Sequence, residues 1–307
     1  MDISGQTFVV TGGAGFIGSH VVDELLHQGA TEVRVLDQLA QSDNLKQALA
    51  TGKVKIVECD ITHPDGLANS MQGIAGLFHM AVLPLGPCGQ DMRRCLEVNI
   101  IGTFNVFEAA RQAGVKRVVY SSASSVYGDT NATMDESHPL NARTMYGASK
   151  LAGEYLLHAF GTHSGLKYVI LRYMNVYGPR QKGGLVNIVL GRIRQGQPPL
   201  IFGDGSQSFD FVHVSDIAQA NLLAMQAEIS GEAFNIGSGE EFTVNEIVRL
   251  LLEMARSGLK PEYRPAPPGQ MQRRVGSSEK AMRMLGYRPQ VSLVEGLRQL
   301  VAQEQAG

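Results

Sequence analysis

Short apolar blocks punctuate the first half of the chain at residues 8–11, 33–36, 54–58, 77–80, 117–121 and 168–172. Each is too short for a helix and reads as a buried strand. Between the blocks, apolar positions recur at helical spacing over 17–28 and over two long stretches, 91–113 and 146–160. Such alternation predicts an α/β fold: a parallel, doubly wound sheet with right-handed crossovers, whose ligands lie at the carboxyl ends of the strands. The texture changes after Gly178 and Pro179. A loop at Lys182, Gly183 and Gly184 leads to a helix over 185–194, a break at Pro198 and Pro199, and a short strand over 200–202. Helices are expected at 214–225 and 244–255, the second opened by Thr243 as N-cap with Glu246 three residues on. A strand end falls at 234–237, and 261–269 is proline-rich and irregular. The expected organisation is a larger domain over 1–177 and, over 178–307, mostly a smaller lobe covering the mouth of the sheet. Residues 208–228 are expected to pack back onto the first domain.

One connection differs from the rest. Residues 11–18 carry Gly12, Gly13, Gly15 and Gly18 between the first strand and the first helix. Gly12 suits a tight turn, Gly15 lets backbone approach a phosphate with no Cβ in the way, and Gly18 lets the helix pack close to the sheet. The helix start, with Phe16 and Ile17, offers free N–H groups to a pyrophosphate. The second strand runs into Asp37, nineteen residues after Gly18, where a carboxylate can accept hydrogen bonds from the adenosine ribose. A 2′-phosphate would meet like charge there, and no Arg or Lys follows until Lys46. The predicted cofactor is therefore NAD rather than NADP, on a Rossmann-type sheet. Asp60 and Ile61, after the third strand, are placed for the adenine. Ala81 and Val82, after the fourth, are placed for the nicotinamide side.

Composition narrows the partners. A net charge of −2 with no basic block argues against nucleic acid or an anionic membrane as partner. No apolar run approaches the roughly 18–20 residues of a membrane span. The first strand opens within ten residues of the start, so a chain without a signal peptide, and a cytoplasmic one, is expected. Cys59, Cys88 and Cys95 have no metal-type spacing, so no metal is predicted. They are expected as reduced thiols, small and buried.

Tyr146 and Lys150 stand one turn apart at the start of a predicted helix. A phenol is a poor base at neutral pH, and a nearby ammonium favours the phenolate. The same cation can hold a ribose hydroxyl. Tyr146 could then take a proton from a substrate hydroxyl as hydride leaves the same carbon.

Together with the glycine turn and Tyr146–Lys150, residues 172–181 (Arg172 to Gln181) and 234–239 resemble the extended short-chain dehydrogenases/reductases. The resemblance is to the NAD-dependent sugar-nucleotide epimerase/dehydratase family, in the manner of UDP-glucose and UDP-glucuronate 4-epimerases, and it covers nearly the whole chain. It implies NAD tightly held by Tyr146 and Lys150 among others, and a nucleotide-sugar substrate. It also implies a homodimer formed through the two long helices, 91–113 and 146–160. Asn175 would contact the substrate phosphate or position the sugar. Phe202 would stack on the base, and Leu185 and Val186 would line the substrate site. Asn99 would support the active-site backbone.

The chain departs from the family at three places. The Ser or Thr that bonds the reacting hydroxyl is Ala123, flanked by Ser122 and Ser124. The two arginines that grip the diphosphate are replaced by Phe209 and by Pro267, in the segment 267–270. Phe and Pro cannot make the bidentate contact. Arg274, Arg273, Arg192 or Lys182 could reach the phosphates instead. The activity implied is 4-epimerisation of a nucleotide sugar by hydride transfer to NAD and return to the other face of a 4-keto sugar. The missing arginines motivate an alternative, a net dehydrogenase of a non-nucleotide alcohol. Ala123 motivates another, a non-catalytic NAD-binding regulator. Ser124 and Ser125 stand where a dehydratase would carry Asp-Glu, and Ser125 where a decarboxylase would carry an acid, so both are disfavoured.

Overall fold

The computed structural model describes residues 1–267 and 271–305. The strands in chain order are β1 (Thr7–Thr11), β2 (Glu32–Asp37), β3 (Val54–Glu58), β4 (Gly76–His79), β5 (Arg117–Ala123), β6 (Lys167–Tyr173) and β7 (Asn175–Tyr177). The remainder are β8 (Leu200–Phe202), β9 (Ser208–His213), β10 (Glu232–Ile236), β11 (Glu241–Thr243), β12 (Glu262–Arg264) and β13 (Arg273–Arg274). The helices are α1 (Phe16–His27), α2 (Lys46–Ala50), α3 (Leu67–Ser70), α4 (Leu85–Gln90), α5 (Met92–Leu96) and α6 (Thr103–Gln112). They continue with α7 (Met145–Ser164), α8 (Leu185–Arg194), α9 (Val214–Gln226), α10 (Val244–Met254), α11 (Glu279–Leu285) and α12 (Leu293–Gln305).

Seven parallel strands form the main sheet in the order β10-β6-β5-β4-β1-β2-β3. The winding direction reverses between β1 and β4, which opens a crevice beyond their carboxyl ends. Alternate side chains of β1 feed two different cores, as strand geometry requires. Phe8 and Val10 face α1 and α9, against Val21, Leu25 and Ile217. Val9 faces α6 and α7, against Phe107 and Leu157. A third core, built on Val189, Ile247, Leu251 and Leu297, binds α8, α10 and α12 into the lobe. The lobe's own sheet carries β9 at its centre, flanked by β11 and β13, with β7 also pairing with β9. Strand β10 lies within 178–307 yet is the seventh strand of the main sheet, because its Phe234 and Ile236 are fully buried apolar residues in register with β6.

Local chemistry sets the helix ends. Thr144 caps α7 by accepting a hydrogen bond from the Gly147 N–H, and Gly165 closes it in the left-handed region. The expected capping box of Thr243 and Glu246 is present on α10.

Two expectations need correction. The stretch 91–113 is not one uniform helix: a π turn over Glu97–Gly102 separates α5 from α6. The extra residue of a π turn re-aims a side chain, and here Asn99 lies within it. Cys88 and Cys95 are not reduced thiols but a disulfide, with S–S 2.08 Å. Both are fully buried, as expected. Helix α4 is what brings them together. It forms although it contains Gly86, Pro87 and Gly89, because Pro87 sits in its first turn, where no N–H is needed. The fold-back of α4 on α5 leaves the two Cα atoms 4.8 Å apart.

Candidate active site

Two cavities meet at the carboxyl ends of the main sheet. The larger, about 570 Å³, is lined by the glycine turn and by the ends of β2, β4 and β5. The smaller, about 420 Å³, lies between β5, α7, β7, α8, β9 and β13. Ala123, Tyr146, Tyr173, Met174, Val176 and Gln181 line both.

The glycine turn explains the first cavity. Gly12 has φ +67°, and a Cβ on it would lie 2.7 Å from the Ala81 backbone nitrogen. A Cβ on Gly18 would lie 2.3 Å from the Gly12 carbonyl oxygen. The absence of both Cβ atoms lets α1 pack against the turn, and no side chain caps its N-terminus. Its first N–H groups therefore remain for an anion. Asp37 accepts hydrogen bonds from the Ala14 N–H at 3.0 Å and the Leu39 N–H at 3.2 Å, which fixes its carboxylate at the cavity edge. A cradle without Cβ atoms, an uncapped helix start and a fixed carboxylate fit a dinucleotide with a free 2′-hydroxyl.

Gly12, Gly15, Phe16, Ile17, Gly18, Asp37, Ile61, Ala81, Val82 and Tyr146 all line this cavity. Asp60 does not. Its carboxylate accepts from Thr62 and from Arg94 Nη2 at 3.0 Å, so Arg94 presents to the cavity as a paired charge. Arg94 was not foreseen, because its partner lies thirty-four residues away. His79 joins the two central strands: Nδ1 is 2.7 Å from Thr11 Oγ1 and Nε2 is 2.9 Å from Thr103 Oγ1. Burial, with Lys150 nearby, lowers its pKa to about 3, so the ring is neutral. Asn99, delivered by the π turn, accepts from the Leu83 N–H at 2.7 Å. It donates to the Leu83 carbonyl and to Ser149 Oγ. It thereby ties the cavity wall to α7.

At the reacting end, Lys150 is buried and lines neither cavity. Its Nζ donates to the Ser121 carbonyl at 2.7 Å and lies 5.9 Å from the Tyr146 ring centroid. Burial lowers the Lys150 pKa to about 7, opposed by Glu154. Burial raises that of Tyr146 to about 12, and the Arg274 charge pulls it back. Ser122 lines the first cavity, but its hydroxyl donates to Glu154. Glu154 is also gripped by Arg172 through Nε and through Nη2 at 2.6 Å. Arg172 Nη1 donates in turn to Tyr127 Oη, which donates to Asn235 Oδ1. Ser122 thus belongs to a buried network behind the site. Ser124 and Ser125 open a 3-10 turn after β5 and line the second cavity.

Asn175, Leu185, Val186 and Arg274 also line the second cavity, beside Phe209 and Phe211. The Asn175 side chain donates to the Asp210 carbonyl at 3.3 Å. Phe202 lines neither cavity and is about half exposed. Arg273 is held by Glu241 at 2.8 Å, and Arg192 donates to the Pro198 carbonyl. Of the segment 267–270, residues 268–270 lie outside the described residues.

A family model described as the NAD dependent epimerase/dehydratase family matches residues 8–237. A UDP-glucose 4-epimerase of Mycolicibacterium smegmatis is 36% identical over 304 residues, covering 95% of this chain and 96% of that protein. Among solved structures, a UDP-glucose 4-epimerase of Thermotoga maritima with UDP-glucose is 35% identical with a TM-score of 0.91, covering 98% of this chain and 99% of the other. A UDP-glucuronic acid 4-epimerase of Bacillus cereus, solved with UDP-glucuronic acid and NAD, is 29% identical with a TM-score of 0.91, covering 97% and 99%.

Proposed function

The chain belongs to the NAD dependent epimerase/dehydratase family, and on that premise we propose that it is an NAD-dependent 4-epimerase of a nucleotide sugar, with UDP as the nucleotide. The observation that carries the reading is the placement of Tyr146 on the wall shared by the two cavities. A group there can meet a cofactor on one side and a sugar on the other.

Bound NAD would supply the reversible hydride acceptor. Tyr146 takes the proton of the C4 hydroxyl and later returns it. A phenol held near 12 needs positive charge to act at neutral pH, and Lys150 and Arg274 are the cations within reach. Lys150, whose ammonium rests on the Ser121 carbonyl behind the cavity wall, would turn to the ribose when NAD is bound. Asp37 binds the ribose hydroxyls, the start of α1 binds the pyrophosphate, and Ile61 meets the adenine. Asn175, Leu185, Val186 and Arg274 hold the substrate. Ser124 is the serine left free to assist at the reacting hydroxyl, since Ser122 is committed to Glu154. The reading carries with it a cytoplasmic location and a homodimer. Exposed Leu96, Ile101, Phe104 and Tyr155 on α5–α7 support the dimer.

The test is to incubate the NAD-loaded protein with UDP-glucose and with UDP-glucuronate and follow the sugar by proton NMR. Inversion at C4 without accumulating NADH supports epimerisation. The absence of arginine at Phe209 and Pro267 favours the second reading, net oxidation of a non-nucleotide alcohol. NADH rising in step with product would establish it.

A further inference from the structure

Two donors face the substrate cavity with nothing to bind. Ser125 is 5% exposed, and its hydroxyl has no hydrogen-bond partner. Arg274 Nε is buried and equally unpartnered, and Arg274 makes no ion pair among the described residues. Both line the same cavity as Tyr146. Polar groups buried in this way normally have partners, and an unpaired guanidinium is costly to desolvate. Burial lowers the Arg274 pKa only to about 10, against the pull of Asp129 and Tyr146, so the group keeps its charge at neutral pH.

Position tells which part of a substrate would complete the pair. Strand β13 runs beside β9, with Arg274 in register with Phe209. That register alone would suit the diphosphate, but the Arg274 side chain lines the cavity together with Ser124, Ser125 and Tyr146, and its charge reaches the Tyr146 phenol. Tyr146 marks the reacting carbon, so the open donors surround the sugar ring rather than the nucleotide. A neutral hexose offers hydroxyls, which accept hydrogen bonds but carry no charge to set against the guanidinium. A carboxylate does both: its two oxygens match the guanidinium fork, and a lone pair remains for a serine hydroxyl.

We propose that Arg274 and Ser125 form an anion site for a carboxylate borne by the sugar, which makes the substrate a nucleotide-linked hexuronate. The assignment deepens the nucleotide-sugar reading above and rests on it.

Calorimetric titration of the NAD-loaded protein with UDP, UDP-glucose and UDP-glucuronate separates the two claims. Wild type should bind UDP-glucuronate at least about 10-fold more tightly than UDP-glucose. Arg274→Gln should weaken UDP-glucuronate by roughly 10–100-fold, the range for hydrogen bonds to charged groups, and leave UDP unchanged. Ser125→Ala leaves the cation in place and should cost UDP-glucuronate a smaller factor. It provides the same contrast if Arg274→Gln fails to fold. Arg274→Lys should restore part of the affinity. Wild type binding UDP but showing no preference for the uronate overturns this assignment alone. Equal weakening of UDP itself by Arg274→Gln also overturns it, and moves Arg274 to the diphosphate. If wild type does not bind UDP, the nucleotide reading fails and this assignment falls with it.

Discussion

The two cavities share a wall at Ala123 and Tyr146 but are finished to different degrees. The cofactor cavity is made largely of backbone, glycines and strand ends, and most of the polar side chains at and behind its wall are partnered within the chain. Asp37 has Ala14 and Leu39, Asp60 has Thr62 and Arg94, His79 has two threonines, and Asn99 has Leu83. The substrate cavity is made of side chains from both lobes and leaves Ser125 and Arg274 open. A site for a resident group can be rigid before the group arrives. A site that selects among sugars gains discrimination from donors that only the right ligand satisfies.

Substitutions on and behind the shared wall break that comparison most sharply. Tyr146→Phe should reduce turnover by about 10²–10⁴-fold, the usual share of a general acid–base group, while NAD and UDP binding stay within a few fold. Steady-state rates beside calorimetry would show this. Loss of NAD binding instead would make Tyr146 a binding residue. Glu154→Gln acts behind the wall. It removes the charge that Arg172 grips in a buried pair and so should cost about 3–5 kcal/mol of stability, read by urea unfolding. Asp37→Ala should affect one side only, weakening NAD by about 1.5–3 kcal/mol and leaving UDP unchanged. It is the mirror of Arg274→Gln.

The smallest effect concerns His79. Its pKa falls from 6.5 to about 3 in the fold, so the neutral ring contributes stability that is fully present above about 6.5. That contribution is lost as the pH drops from there toward 3. The ring's NMR shifts should stay flat from about pH 8 to about pH 4. A protonation step near 6.5 would mean that His79 is not locked between Thr11 and Thr103.

Legibility in the sequence follows the same division. The glycine turn, Asp37 and the Tyr146–Lys150 spacing are local patterns, each within a single strand–helix connection or helix turn, and the sheet they imply is the one that forms. Strand β10 is out of chain order, and only burial of Phe234 and Ile236 against β6 assigns it to the main sheet. Which serine is available depended on Glu154, thirty-two residues after Ser122. The Cys88–Cys95 bond depended on a helix that begins at breaker residues. The partner of Lys150 was hidden for a related reason. Spacing along a helix puts it on the face of Tyr146, but only the fold shows that the Ser121 carbonyl holds its ammonium and that Arg274 brings a second cation to the phenol.

The central claim is that hydride leaves C4 and returns to C4. The most direct measurement uses a UDP-hexuronate deuterated at C4, incubated with the NAD-loaded protein in ordinary water. The account predicts epimerised product with deuterium retained at C4 and no accumulation of reduced cofactor. Deuterium washed out into water, or deuterium appearing in stoichiometric reduced cofactor, would contradict it.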